Sequence, residues 1–223
     1  MIGFDPISLS ASLLLLAQMS SCQSLGMPTV NISLEASDPP LDTSMSMDEL
    51  TASFANNPDS TLSTESGWHL GGLTLSNIQT SYSAQFTVQQ FNSGVGCLSV
   101  KHVEVTIIYT PTIYVATDFL DKQCQYDVTF AHEQRHVGTD LETINDFTPL
   151  FRQRLESYLS SLGPQGPFSM DSMQEAQSSI LDQLISDSQP ISDELARVRR
   201  ERQAAFDTEE NYRAENSLCQ GQD

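Results

Sequence analysis

Between residues 68 and 118, apolar and polar side chains alternate with the two-residue period of strands that have one buried and one solvated face. The alternation is clearest over residues 82–89 and 98–110. Residues 68–75, which contain a glycine pair, and residues 112–116, which follow a proline, predict two shorter strands. We therefore predict an antiparallel sheet of three or four strands in this part of the chain.

After the strands, the pattern changes to the helical period. Apolar residues recur at steps of three and four over residues 137–162, where they form one stripe along a helix that begins near Asp127. The stripe keeps its phase across Pro149, so we predict either a kinked helix or a tight break at this proline. Residues 169–186 and 191–216 predict two further helices joined by a turn.

These elements together predict an α+β fold class, with a small antiparallel sheet packed on the long helix and a C-terminal helical hairpin after it. A short helix is predicted over residues 47–54, with Ser46 or Asp48 as its N-cap. In chain order, the predicted segments are a signal peptide (1–21), a tether or irregular strand with the short helix (22–60), the α+β domain (61–163) and a C-terminal helical segment (164–223).

The long helix carries the pattern His-Glu-x-x-His at His132, Glu133 and His136. Residues four apart share a helix face, so the Nε2 atoms of the two histidines can converge on one tetrahedral ion. Glu133 projects about 100° further round the helix and can reach a water molecule beside the ion. Zinc hydrolases combine histidine ligands, an open coordination position and such a general base. We therefore predict a Zn²⁺ site with Glu133 as the catalytic residue.

Catalytic zinc has three protein ligands, and the motif provides two of them. Asp140 lies on the same helix face, about 9 Å along the axis from the midpoint of the histidines. It is therefore either a distorted third ligand or a partner that supports the ligands from behind. Glu156 has an offset from His136 similar to that of thermolysin-type gluzincins, which requires the chain to double back near Pro149. Further candidates are a Glu from the C-terminal helices and the strand histidines His69 and His102.

The N-terminus predicts export. An apolar run over residues 7–19 is too short to span a bilayer and has the length of a signal-peptide core. The sequence that ends it, Met19-Ser20-Ser21-Cys22, is similar to a bacterial lipobox, in which the cysteine is lipidated. We expect a protein of the periplasm, an outer-membrane lipoprotein or a secreted protein, with any membrane anchoring through the N-terminus only.

Cysteine usage fits an oxidising compartment. Cys97 opens a predicted strand, and Cys124 shortly precedes the motif helix. We expect a disulfide between these two residues, which would join the sheet to the helix. The alternative is a pair of buried free thiols.

The charge of the chain limits its partners. The formal net charge is −19 at pH 7, and residues 1–100 contain no lysine or arginine. Such an acidic surface repels phosphate backbones, so we expect no nucleic-acid partner. Four arginines between residues 197 and 202 interleave with glutamates and predict a salt-bridged helix face.

The order of these features resembles a family of exported bacterial proteins described as secreted zinc-dependent proteases. The resemblance covers roughly residues 65–162 and includes the strand that begins at Cys97, the second cysteine at Cys124, the His-Glu-x-x-His motif and the long helix. It implies a compact, metallopeptidase-like α+β domain. Of the family's functional residues, only His132, Glu133 and His136 carry over.

We therefore expect a zinc-dependent metallopeptidase of the bacterial cell envelope that acts on a peptide or protein substrate. Glu133 would accept a proton from water and pass it to the leaving amine. The alternative is a non-catalytic envelope protein or lipoprotein with a structural or vestigial metal site. A weaker third candidate is a zinc-dependent amidase that acts on peptidoglycan stems.

Overall fold

Two long strands and two long helices form most of the fold in the computed structural model, which describes residues 22–24, 26–55, 69–91 and 94–220. The α+β fold class is confirmed, with a C-terminal pair of helices. In chain order the elements are β1 (Thr29–Ala36), β2 (Leu41–Asp42), α1 (Met47–Ala55), β3 (Gly72–Gln90), β4 (Val95–Val115), α2 (Gln123–Leu162), β5 (Gln165–Ser169), α3 (Met173–Ala204) and α4 (Glu209–Ser217).

Strand β4 is the centre of the sheet, because all four other strands pair with it. Its central position follows from its sequence, since Val103, Val105, Ile107 and Tyr109 are at most 1% exposed. Strand β5 is antiparallel to β4, as predicted for this sheet, whereas the two-residue strand β2 runs parallel to it.

The chain divides into two compact units, and each of the four long elements contributes to both. Unit 1 consists of Met1–Ile32, Tyr82–Val105 and Arg152–Gln189. Its core is made by apolar residues from β4, α2 and α3. Each fully buried leucine or valine of this kind contributes roughly 1.5–3 kcal/mol. The core includes Leu98, Val103, Val105, Leu155, Leu159, Ile180 and Leu184.

Unit 2 consists of Ser33–Ser81, Thr106–Phe151 and Pro190–Asp223. Helix α1 contributes Leu50 to a small core with Leu73 and Ala116. The helix begins with a capping box, as its sequence predicts: the Ser46 amide donates to Glu49 Oε2 (2.8 Å), and the Glu49 amide donates to Ser46 Oγ (3.3 Å). Ser46, rather than Asp48, is the N-cap.

Three prolines lie inside the long strands and helices rather than at their ends. In β4, Tyr109 accepts from the Ser37 amide and Ile113 donates to the Pro40 carbonyl. Pro111 lies midway between Tyr109 and Ile113, opposite the gap between the end of β1 and the start of β2. On this side of β4 no described strand pairs with it at that point, so the N–H group that proline lacks costs no hydrogen bond of the sheet. The predicted separate strand over residues 112–116 is consequently part of β4.

Helices α2 and α3 also continue through Pro149 and Pro190, so the predicted turn before residue 191 is wrong. One missing hydrogen bond and the ring clash cost about 3 kcal/mol in a helix. Buried residues on both sides of each proline offset this cost. They are Ile144, Phe147, Phe151 and Leu155 in α2, and Leu184 and Leu195 in α3.

Some element boundaries also differ from the prediction. The predicted strands over residues 68–75 and 82–89 are joined in the single strand β3. The segment predicted as a tether or irregular strand contains β1. Strand β5, which pairs with the start of β4, was not predicted.

Two disulfides connect Cys22 with Cys97 and Cys124 with Cys219. The predicted pair of Cys97 with Cys124 is therefore wrong. The correct partners are brought close by the packing within each unit, with Cα–Cα distances of 5.4 and 5.6 Å. Because the Cys22 sulfur is used in a disulfide, it is not available for the predicted lipidation.

The two disulfides fit an exported, disulfide-bearing protein. The predicted signal peptide lies outside the described residues. Among the helices that are described, none combines the length and the apolar content that a bilayer span requires.

Candidate metal centre

Helix α2 places the two motif histidines on one buried face. His132 is 2% exposed and His136 is 8% exposed. Their rings meet edge to face, and the two Nε2 atoms are 3.0 Å apart. Two unprotonated ring nitrogens at this distance repel each other unless a cation lies between them or beside them. The convergence predicted from the i, i+4 spacing is therefore present.

The third converging group is Asp207, which lies between α3 and α4. Its Oδ1 atom is 3.1 Å from His132 Nε2 and 3.0 Å from His136 Nε2. The three atoms thus form a nearly equilateral triangle. A tetrahedral ion with bonds of about 2.0–2.1 Å separates its ligands by roughly 3.3–3.4 Å. The donor set and its spacing therefore fit a small divalent metal ion.

The segment that carries Asp207 is held by several local contacts. Thr208 Oγ1 accepts from the Asn211 amide (3.2 Å) and caps α4, and Asn211 Nδ2 donates to the Phe206 carbonyl (3.1 Å). Tyr212 donates from its hydroxyl to Asp207 Oδ1 (3.0 Å). The far end of α4 is joined to the start of α2 by the disulfide of Cys219.

The outer ring nitrogen of each histidine has its own partner. His132 Nδ1 lies 3.0 Å from Glu215 Oε2, and Arg135 also contacts the Glu215 carboxylate. His136 Nδ1 contacts Gln203 Oε1, while Gln203 Nε2 donates to the His136 carbonyl (3.0 Å). A proton on each Nδ1 leaves both Nε2 lone pairs free for an ion. Partners of this kind orient histidine ligands in metal sites.

Asp140 is fully buried, but it is not one of the groups that converge at the candidate centre. Helix α2 carries it one turn past His136, away from the converging atoms. Arg199 forms a bidentate pair with its carboxylate, with Nε 2.7 Å from Oδ1 and Nη2 3.0 Å from Oδ2. The other donors to this carboxylate are the Ser76 and Tyr109 hydroxyls and Gln203 Nε2. Asp140 therefore contacts the site indirectly: it accepts a hydrogen bond from Gln203, and Gln203 in turn contacts His136.

The other predicted ligand candidates are not in the site. Glu156 is exposed, and α2 continues to Leu162 instead of doubling back as the gluzincin-like offset requires. His69 pairs with Asp48 at 2.9 Å on the surface. His102 lies 2.8 Å from Thr29 Oγ1 and 3.3 Å from Glu104 Oε2.

Glu133 lies beside the triangle and is only 4% exposed. Thr74 Oγ1 donates to its Oε2 (2.7 Å). Burial raises the pKa of Glu133, and the charges of His136 and His132 oppose this shift in part. Space for its carboxylate depends on Gly72, where a Cβ atom would lie 2.6 Å from Glu133 Oε1.

The converging groups stabilise positive charge. Burial acts to lower the pKa of His136, but the hydrogen bond and charge of Asp207, together with the charge of Glu133, raise it to about 9. Burial acts to raise the pKa of Asp207, but hydrogen bonds to both histidines hold it well below its usual range. Burial and the charge of Asp207 raise the pKa of Tyr212.

Two cavities of about 380 Å³ each border the centre. We call the first the polar cavity; its walls include Thr74, Ser76, Asn77, Arg199 and Arg200, besides Phe54 and Leu70, which it shares with the second. We call the second the apolar cavity; its walls include Met47, Phe54, Leu70, Phe119 and Val128. Glu133 lines both cavities and therefore lies in the wall that they share.

Sequence analysis missed Asp207, because residues 191–216 were predicted as one helix. A signal for the break was present in Thr208, an N-cap residue type followed directly by two glutamates. A glutamate from the C-terminal helices was a further candidate for the third ligand; Glu215 on α4 instead lies beside His132 Nδ1, on the outer side of the ring, and Asp207 is the group that converges with the two histidines.

No protein-family model, curated protein or solved structure matches this chain.

Proposed function

We propose that this protein is an exported zinc-dependent metallopeptidase in which His132, His136 and Asp207 hold the ion and Glu133 is the general base. One observation carries the proposal. The three ligand atoms lie 3.0–3.1 Å from one another, with a buried carboxylate beside them that is not itself a ligand.

The donor set favours zinc in a hydrolytic site. Two imidazole nitrogens and one carboxylate oxygen are typical of catalytic zinc, which keeps a further position open. The same donors also bind Fe(II) in oxygenases. The sequence His-Glu-x-x-His, with Glu133 next to the open side, favours hydrolysis.

When bound, the ion would polarise a substrate carbonyl and lower the pKa of a water molecule. Burial raises the pKa of Glu133, which favours its role as a base that accepts a proton from water. After the attack, the protonated Glu133 would donate this proton to the leaving amine. Thr74 holds one carboxylate oxygen of Glu133 and so fixes the direction of the other.

The two cavities provide room for substrate on both sides of the ligand triangle. Side chains of the apolar cavity suit an apolar substrate residue, whereas the polar cavity offers hydroxyl, amide and guanidinium groups. A peptide that occupies both cavities would place one of its bonds beside Glu133. The two disulfides are compatible with action outside the cytosol.

The test combines metal analysis with peptide hydrolysis on the purified protein. We expect one zinc per chain in the wild type and a loss of zinc in His132→Ala. Glu133→Gln should keep zinc and lose roughly 10²–10⁴-fold in kcat, the range of general acid–base catalysis. Glu142→Gln is the matched control, because Glu142 is an exposed acid on the same helix.

Two outcomes would contradict the proposal. A fully active Glu133→Gln protein would remove Glu133 from the mechanism. A wild type that binds zinc but hydrolyses no peptide in a broad library would leave a structural metal site instead of an enzyme.

A further inference from the structure

Arg200 differs from the other arginines at the C-terminal end of α3. Among the described residues, it has no acidic side chain within ion-pair distance, although it is exposed. Its neighbours all have such partners. Arg197 pairs with Glu194 and Glu201, Arg199 with Asp140, and Arg202 with Asp146.

Arg200 also lines the polar cavity, together with Glu133, His136 and Asp207. In a chain with a net charge of −19, a guanidinium beside a candidate active site that pairs with no carboxylate of the described residues is unexpected. Its position is therefore suited to bind an anionic group of a ligand.

The charges around the polar cavity support this view. Arg199 and Asp140 neutralise each other. A divalent ion held at the ligand triangle would be balanced by Glu133 and Asp207, whose side chains face the same cavity. Among the described residues that line this cavity, Arg200 would then carry the uncompensated charge. The apolar cavity differs, because its charged wall residues include Glu209 and Glu215.

We propose that Arg200 binds a carboxylate of the substrate in the polar cavity. This inference rests on the proposed peptidase function and specifies its substrate class as peptides with a carboxylate on one side of the cleaved bond. The planar guanidinium matches a carboxylate with two parallel hydrogen bonds. The carboxylate is either an acidic side chain or the free C-terminus of the peptide, and both present the same group.

The experiment uses four peptides of one sequence, with Asp or Asn at one internal position and with a free or amidated C-terminus. Hydrolysis of each is measured with the wild type, Arg200→Gln and Arg197→Gln. Arg197 is the matched control, because it lies on the same helix, is exposed and lines neither cavity.

We expect the wild type to prefer one carboxylate peptide over its amide counterpart by about tenfold in kcat/KM, as a charge-assisted hydrogen bond provides. Arg200→Gln should reduce this ratio to about one, and Arg197→Gln should keep it. The Asp/Asn pair and the acid/amide pair identify which carboxylate is recognised.

A second measurement separates this inference from the peptidase proposal. Binding of the same four peptides, fluorescently labelled, is measured by anisotropy in Glu133→Gln protein with and without Arg200→Gln.

A preference that depends on Arg200, without hydrolysis by the wild type, would refute the peptidase function and leave the carboxylate site in place. Hydrolysis with equal rates on carboxylate and amide peptides, or a preference that survives Arg200→Gln, would refute the carboxylate site alone. Neither binding nor hydrolysis would refute both.

Discussion

Asp207 Oδ1 lies 3.1 Å from His132 Nε2, although the two residues are separated by 75 positions in the chain. The candidate metal centre is therefore not complete in the His-Glu-x-x-His helix. Its third corner comes from the segment between α3 and α4, which is fixed by Tyr212 and by the disulfide of Cys219. The integrity of the centre should thus depend on how firmly this C-terminal segment is held.

Asp207→Asn should weaken zinc binding strongly, because the amide keeps the shape of the side chain but lacks the charge that faces both histidines. Removing a group that hydrogen-bonds to a metal ligand typically lowers metal affinity about 10–100-fold. Removing a ligand itself should therefore lower the affinity by more than about 100-fold. Competition with a chromophoric chelator measures this affinity. Asp146→Asn, which removes an exposed carboxylate from α2, is the control. Equal affinity in Asp207→Asn and wild type would exclude Asp207 as a ligand.

The structure reproduces the predicted arrangement of the motif residues because local geometry fixes it. His132, Glu133 and His136 occupy one stretch of one helix, so their mutual arrangement follows from the helical repeat alone. The fold class could be predicted for the same reason, since strand and helix periods are local.

Long-range pairings could not be predicted from these patterns. The partner of Cys124 is 95 positions away, and the partner of Cys97 precedes Cys97 by 75 positions. The effect of Pro111 and Pro190 could not be predicted from the sequence either, because β4 and α3 continue through them. A proline signals a missing N–H group, but only the surrounding structure determines whether that group is needed.

Gln203→Met should lower zinc affinity about 10–100-fold while keeping the volume of the side chain. Methionine has no acceptor for the His136 Nδ1 proton and no donor for the His136 carbonyl, both of which Gln203 provides. The imidazole would then rotate more freely. Chelator competition gives the affinity, and NMR of the histidine ring nitrogens reports which of them carries the proton. Gln174→Met, at an exposed position near the start of α3, is the control. An unchanged Nδ1 signal in Gln203→Met would contradict the role assigned to Gln203.

Removal of the Cys124–Cys219 disulfide should lower both stability and zinc affinity. The bond closes a separation of 95 residues, and loss of such a cross-link typically lowers the free energy of unfolding by about 2–4 kcal/mol. Removal of the disulfide would also release the C-terminal end of α4, the helix on which Glu215 contacts His132 and Tyr212 contacts Asp207. The double variant Cys124→Ser/Cys219→Ser is compared with Cys22→Ser/Cys97→Ser by denaturant unfolding and zinc titration.

The second double variant is a matched control, because its disulfide lies in unit 1 and the site lies in unit 2. We expect it to lose stability and keep its zinc affinity. If both double variants bind zinc as tightly as the wild type, the disulfide of Cys219 has no part in holding the centre.

Gly72→Ala should reduce hydrolysis without removing the metal ion. The added Cβ atom would lie 2.6 Å from Glu133 Oε1 and 2.6 Å from Thr129 Cγ2, so the carboxylate must move, while its three nearest atoms belong to Glu133 and Thr129 and to neither histidine. A misplacement of about 1 Å in a catalytic group lowers rates by roughly 100-fold. Gly138→Ala is the control on α2, because its Cβ atom would meet nothing within 4 Å and alanine favours the helix by about 1 kcal/mol. The measurements are zinc content, kcat and thermal stability. A Gly72→Ala protein with wild-type kcat would show that the position of the Glu133 carboxylate does not limit the reaction.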